Sequence, residues 1–216
     1  MRLFSVCSAL SALILWATPS VAAAAPPASL PGFPVELGRG FVPMGLSVAD
    51  LDRNGRMEIL VVGGDSIAVV DGAGRITSLN VRGAAEAVPV EFSGPPAACD
   101  LDGDGRSEVV AAAANRRLYA VSASGRPLTG FPVALDGVPR GAVGCAADGN
   151  KRAAVLTTDS GSLLKVSGQG KVEKLASIGR GAESGVAAID LDYDGKEEII
   201  AVGGDARLYV VDIQGR

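Results

Sequence analysis

The 216-residue chain carries 20 Lys plus Arg, 24 Asp plus Glu and no histidine. The missing histidine excludes Ser-His-Asp and Cys-His catalysis, histidine metal sites and histidine pH switches. Mild acidity with 4% aromatic residues argues against a nucleic-acid surface, which needs clustered Lys and Arg, and 29 glycines suit many short strands and turns better than long helices.

In chain order, residues 1–24 read as a secretory signal peptide. Met1-Arg2 gives a basic start, Leu3 to Trp16 an apolar run too short to span a bilayer, Pro19-Ser20 a break, and Ala22 to Ala25 small-residue cleavage sites. The expected destination is secreted, periplasmic or cell surface, an oxidising compartment with available calcium. Removal leaves 19 basic and 24 acidic residues, a formal charge of −5. No membrane span is expected in the mature chain.

Residues 25–216 read as one repeat written four times. VADLDRNGRMEILVV from Val48, ACDLDGDGRSEVVAA from Ala98, GCAADGNKRAAVLTT from Gly144 and AIDLDYDGKEEIIAV from Ala188 align without gaps, with loop starts at Asp50, Asp100, Ala146 and Asp190. A Gly-Arg or Gly-Lys turn follows each at Gly74, Gly125, Gly170 and Gly215. Each unit reads as an inner strand of small residues, an acidic loop, an apolar second strand, a third strand and a more polar fourth stretch. The inner strands are Gly45 to Ala49, Pro96 to Cys99, Ala142 to Cys145 and Gly185 to Ile189. The second strands are Glu58 to Val62, Glu108 to Ala112, Ala154 to Thr157 and Glu198 to Val202, and the third Ile67 to Val70, Leu118 to Val121, Leu163 to Val166 and Leu208 to Val211. Phe33 to Leu37, Val88 to Phe92 and Phe131 to Leu135 carry a proline that suits an edge strand.

Four strands in about 45 residues, repeated, predict an all-β fold: a β-propeller of four-stranded antiparallel blades. The blades run about 38–81, 82–135, 136–179 and 180–216. Two readings stand for the ring. Residues 32–37 pair with Leu208 to Val211 and close four blades, or the chain forms part of a larger propeller. Cys99 and Cys145 hold the same position in neighbouring repeats and are expected as two buried thiols rather than a disulfide.

The acidic loops carry the chemistry, with the pattern D-x-[DN]-x-[DN]-G-x-x-E. The side-chain oxygens of Asp50, Asp52, Asn54 and Glu58, with the carbonyl of Arg56, form one set. Asp100, Asp102, Asp104, Arg106 and Glu108 form a second, and Asp190, Asp192, Asp194, Lys196 and Glu198 a third. Alternate oxygen donors on a tight loop converge on one point, and that many hard donors suit Ca²⁺ better than Mg²⁺. Position twelve is Val61, Ala111 or Ala201 and the flanks are strands, so these are not EF-hands. The third repeat has Ala146 and Ala154 at the first and last ligand positions and is expected to hold no calcium, with Lys151 or Arg152 offsetting Asp148. Three Ca²⁺ would take the mature formal charge from −5 to +1.

DLDRNGRMEI, DLDGDGRSEV and DLDYDGKEEI, each followed by a strand, a turn and an LYAV- or LYVV-like segment, resemble the FG-GAP/VCBS-type repeats of the integrin-α N-terminal β-propeller family. The resemblance spans Pro31 to Arg216. It implies that each loop joins the first two strands of a blade and holds structural Ca²⁺. It also implies an exported binding or adhesion-like scaffold module with a protein or glycan ligand.

The loops entering each blade carry Arg39, Arg82, Arg140 and Arg180, a possible patch for an anionic ligand, although isolated arginines near turns are ordinarily just solvated. Tyr119 and Tyr209 occupy matching third-strand positions and suit packing. No residues form a catalytic constellation, so no enzyme activity is expected. The alternative is the propeller part of a secreted glycan-active lyase or hydrolase.

Overall fold

The structure, a computed structural model, describes residues 30–39, 41–79, 90–181 and 184–216. The expected leader, 1–24, and Arg82 lie outside them. Blade one is β1 (Pro43–Ala49), β2 (Glu58–Gly63), β3 (Ser66–Val70) and β4 (Ile76–Leu79). Blade two is β5 (Ala97–Cys99), β6 (Glu108–Ala113), β7 (Arg117–Val121) and β8 (Val133–Ala134). Blade three is β9 (Pro139–Asp148), β10 (Lys151–Thr158), β11 (Ser162–Val166) and β12 (Val172–Ser177), and blade four is β13 (Val186–Ile189), β14 (Glu198–Val202) and β15 (Leu208–Val211). Each is an antiparallel meander whose strands lie side by side in chain order, and the described residues form no helix. The predicted all-β propeller architecture is present.

The second strands are apolar on both faces because the blades stack face to face. Leu60, Val62, Ile67 and Val69 of blade one pack against Phe92, Val109, Ala111 and Tyr119 of blade two. Val110, Ala112, Leu118 and Ala120 on the other face of blade two meet Ala154, Leu156, Leu164 and Val166 of blade three. Val155 and Leu163 then meet Ile199 and Ala201 of blade four. Each buried aliphatic side chain contributes roughly 1.5–3 kcal/mol, so the seams hold the fold together.

Small residues line the inner strands because backbones touch there. A methyl group on Gly141 would overlap the backbone of Ser184 and Gly185, and one on Gly94 would overlap Gly141. Gly141 also has φ +67°, which a side chain disfavours.

Three expectations are corrected. First, of the two readings for the ring, closure by residues 32–37 is not found: they form no strand, and among the described residues β15 pairs with β14 alone. Gly32 is instead packed on Ala73 and Gly74, in the β3–β4 turn of blade one, at the opposite end of the arc from β15. The arc ends in partly exposed apolar faces: Leu46 is 63% exposed on blade one, beside the buried Val61 and Ala68 of the same row, and Leu208 is 66% exposed on blade four.

Second, among the described residues only Phe131 to Leu135 of the three proline-bearing segments supplies an outer strand, β8; Val88 and Pro89 of the second segment lie outside the described residues. Blade one is completed by β4, and Phe92 of the second segment bridges to Ala113 in blade two.

Third, the gapless alignment fails in blade three. In blade two, residues 100–107 lie between the paired Cys99 and Glu108, whereas in blade three only 147–152 lie between the paired Ala146 and Ala153. The shortened loop is a tight hairpin with Gly149 at φ +67°. Two missing residues make Ala146, not Cys145, the counterpart of Cys99. Successive side chains on a strand point to opposite faces, so Cys145 turns back towards blade two. There it forms a disulfide with Cys99, with Cα atoms 5.6 Å apart, in place of the expected free thiols.

The bridge closes a loop with a sequence separation of 46 residues. Cys99→Ser/Cys145→Ser is therefore expected to lower unfolding free energy by about 2–4 kcal/mol. Urea denaturation, compared with the wild type with and without reductant, measures this, and the double variant should lose its response to reductant.

Candidate metal centre

Each complete loop leaves the sheet at a paired residue and re-enters at its ninth-position acid: Ala49 with Glu58, Cys99 with Glu108 and Ile189 with Glu198. Two left-handed residues in each loop fold it back on itself. The sixth position is Gly55 (φ +80°), Gly105 (φ +93°) or Gly195 (φ +88°), and the fourth is Arg53 (φ +58°), Gly103 (φ +81°) or Tyr193 (φ +63°). The sequence signals the sixth-position glycine but not the conformation of the fourth.

The first acid organises the turn. Asp50 accepts from the amides of Asn54 (3.0 Å) and Gly55 (2.8 Å). Asp100 accepts from Gly103 (2.9 Å) and Gly105 (3.1 Å), and Asp190 from Asp194 (3.1 Å) and Gly195 (3.0 Å). The third-position and fifth-position side chains cap the following amides: Asn54 accepts from Arg56 N, Asp104 from Arg106 N and Asp194 from Lys196 N. The ninth-position acid accepts the amide of the second-position leucine: Leu51 to Glu58 (3.0 Å), Leu101 to Glu108 (2.9 Å) and Leu191 to Glu198 (2.9 Å). This last contact, a device for pinning the loop to β2, β6 or β14, is not legible from spacing alone.

Three acid clusters result: Asp50 with Asp52 and Glu58, Asp100 with Asp102 and Glu108, and Asp190 with Asp192 and Asp194, each bringing ligand oxygens within 4.8 Å of one another. Asp104 and Glu198, expected as ligands, fall outside these tightest groups. Asn54, Arg56, Arg106 and Lys196 stand in the same loops, with their amides or side chains in the turn bonds above.

The electrostatics ask for a cation. Glu108 is 3% exposed, and its carboxyl is raised to about 7. Burial is the largest cause, opposed by the Leu101 amide and reinforced by repulsion from Asp102, Asp104 and Asp100. The all-oxygen donor set around this buried acid fits a hard divalent cation. Protein cations partly serve the other loops. Lys196 Nζ lies 3.1 Å from Asp194 and holds that carboxyl below its ordinary value, while Arg53 of the first loop reaches Asp100 of the second at 3.3 Å.

The loops also stitch seams. The Ser107 amide of blade two donates to the Leu51 carbonyl of blade one (2.9 Å), and Gly168 of blade three packs on the Leu101 carbonyl of blade two.

In blade three the hairpin is held by protein charges. Arg152 donates to both carboxylate oxygens of Glu197 (3.1 and 3.0 Å) and to the Cys145 carbonyl (2.9 Å), and Glu197 accepts the Ala147 amide (2.8 Å). Asp148 is offset by Lys165 at 3.4 Å rather than by Lys151 or Arg152; Arg152 is engaged by Glu197, and Lys165 also binds Glu173 (2.9 Å) on the neighbouring strand.

On the opposite rim, Arg39 lies beside Gly63 to Ser66, and Arg140 faces Asp159 at 3.8 Å. Arg180 follows the contact between Gly179 and the Gly161 turn. Arg39, Arg140 and Arg180 thus each attend a β-turn at this rim. One polar cluster there was missed from sequence: Asp136 accepts hydroxyls from Thr158 (2.9 Å), Ser160 (3.1 Å) and Ser162, which outweigh burial and lower its pKa. Tyr119 is packed as expected, edge-on to Phe92 with ring centroids 6.2 Å apart.

No protein-family model and no curated protein matches the sequence. Solved structures do. BBS1N in complex with ARL6DN is 13% identical, with a TM-score of 0.60 over 80% of this chain and 49% of that one. A catalytically inactive virginiamycin B lyase from Staphylococcus aureus with quinupristin is 13% identical, with a TM-score of 0.54 over 83% and 58%. The computationally designed Ika4 protein is 16% identical, with a TM-score of 0.50 over 82% and 94%. These β-propeller-type neighbours share the fold. The chain spans about half the length of the first two.

Without a cation, Glu108 is favoured protonated in the fold. The folded state therefore binds more protons than the unfolded state between the ordinary glutamate value of 4.5 and about 7, so stability falls as pH rises through that window. Melting temperature in chelator is expected to drop across it, and Glu108→Gln should flatten the drop.

Proposed function

We propose that the chain is an exported, calcium-stabilised propeller of the FG-GAP/VCBS type that acts as a binding or scaffold module. The observation that carries this reading is the recurrence of an acid cluster at the same loop of three blades. A single exposed acidic turn is commonplace. Three with closely similar internal hydrogen bonds, at the same place in their blades, suit a structural ion in each. The residues that would hold it are Asp50, Asp52, Asn54 and Glu58, Asp100, Asp102, Asp104 and Glu108, and Asp190, Asp192, Asp194 and Glu198. The carbonyls of Arg56, Arg106 and Lys196 complete the three sets. Calcium supplies charge neutralisation there; the side chains fold the loop and set the seam.

The work of such a module is carried by its rims. Arg39, Arg140 and Arg180, with Arg82 in a residue range outside the description, are the groups suited to a carboxylate or acidic glycan. The export signal, the adhesion-like role and the absence of catalysis belong to this same reading. The glycan-active enzyme is the rival, but the likeness to the lyase does not favour it. That lyase is inactivated by replacing a histidine with alanine, and this sequence has no histidine.

Calorimetric titration of chelator-treated protein with Ca²⁺ is expected to show about three sites and a raised melting temperature, since a ligand bound only by the fold stabilises it. Asp100→Ala/Asp102→Ala should remove one site and leave the others. A protein with no calcium response would overturn the reading.

A further inference from the structure

The two ends of the arc are the two halves of a seam that the chain already makes three times. Leu51, Val62 and Ile67 of blade one lie under blade two at 2%, 0% and 0% exposure, and their counterparts Leu101, Ala112 and Leu118 lie under blade three at 0%, 2% and 0%. The same positions in blade four, Leu191, Val202 and Leu208, are 52%, 45% and 66% exposed. At the other end, Met44, Leu46 and Val48 of β1 present alternate side chains on the face of blade one that has no blade before it, at 44%, 63% and 56% exposure.

The edge strands tell the same story. Between blades two and three, Gly130 packs on the Gln169–Gly170 turn of blade three, and the next residues form β8, pairing Val133 with Leu118 and Ala134 with Arg117 of blade two. Gly32 packs on the Ala73–Gly74 turn of blade one in the same way, with the same turn bond from Phe33 N to Leu30 O that Phe131 N makes to Leu128 O. The residues that follow, Phe33-Pro34-Val35-Glu36-Leu37, repeat Phe131-Pro132-Val133-Ala134-Leu135. In this register their partners are the third strand of whatever blade precedes blade one.

Blade four offers that strand. Its β15 edge lacks a fourth strand among the described residues, and Arg207-Leu208 stand where Arg117-Leu118 stand in blade two. Paired in the β8 register, Val35 would face Leu208 and Glu36 would face Arg207, an opposite-charge pair across the ladder. Within one chain these partners sit at opposite ends of the arc. BBS1N and the virginiamycin B lyase extend well beyond the part this chain matches, 49% and 58% of their lengths, which leaves room around the axis for further blades such as a second arc.

We propose that two copies of this chain close head to tail into a ring of eight blades. Blade four of each copy lays its open face on blade one of the other, and residues 33–37 of that other copy add the strand outside β15. The contact is heterologous, joining two different patches, and closes because it is made twice.

Native mass spectrometry and light scattering of the purified chain in calcium test this. The expected species has twice the chain mass. Leu208→Asp breaks the blade-four patch and Leu46→Asp the blade-one patch; both residues are exposed in the single chain. Each variant alone should lose the dimer, with affinity reduced at least about a hundredfold because a charge is buried unpaired. Mixed together, the two variants should regain a dimer through the one intact seam they can still build. A wild-type monomer, a species larger than two copies, variants that stay dimeric, or a mixture that fails to pair would each overturn the proposal. Should circular dichroism show either aspartate variant misfolded, Glu36→Arg and Arg207→Glu replace them. Each should weaken the dimer alone and restore it in combination, and a lack of restoration counts against it.

Discussion

A sheet that is apolar on both faces cannot stand in water alone, and this governs the molecule. The second and third strands of the blades here are dominated by Val, Ile, Leu and Ala on either side, so each blade calls for cover on both faces. The covering is done by copies of the same surface, which is why repetition is the fold's organising device rather than an accident of its history. The axis follows from it. Sheets stacked face to face converge along one edge, and there only glycine and alanine allow backbones as close as Gly94, Gly141 and Gly185.

The seams are reinforced at their rim by three different kinds of chemistry. The first seam carries an acidic loop tied to its neighbour by the Arg53–Asp100 pair and the Ser107 amide. The second adds a covalent bond between Cys99 and Cys145. The third replaces the loop acids with a half-buried clasp between Arg152 and Glu197. An arginine aimed at a carboxylate in blade three thus takes the place that a divalent ion suits in the other blades, with the positive charge supplied by the chain itself.

Strand positions were legible because burial on both faces leaves a plain mark: EVVAA and EIIAV admit few readings, and β6 and β14 lie where those letters stand. The acidic loops were legible because converging oxygens need a fixed spacing. The errors arose where a property depends on parity or partner. Two residues missing from the blade three loop reverse which face Cys145 occupies, and a gapless alignment conceals such a loss because the flanking Ala residues match either way. The segment 33–37 has the composition of an edge strand, but composition cannot say which blade holds the other half of its ladder. Asp136 escaped notice because its three hydroxyl donors come from residues 158–162, which join it only once blade three has folded.

The Cys99–Cys145 bond has a consequence for wear. Everything between these residues, including the exposed turns at 123–126 and 128–130, belongs to a closed loop of chain. A protease that cuts one of those turns produces two fragments that remain joined across the central seam, with their complementary faces still in register. Damage at the middle of the arc is therefore survivable in a way that damage at either end is not.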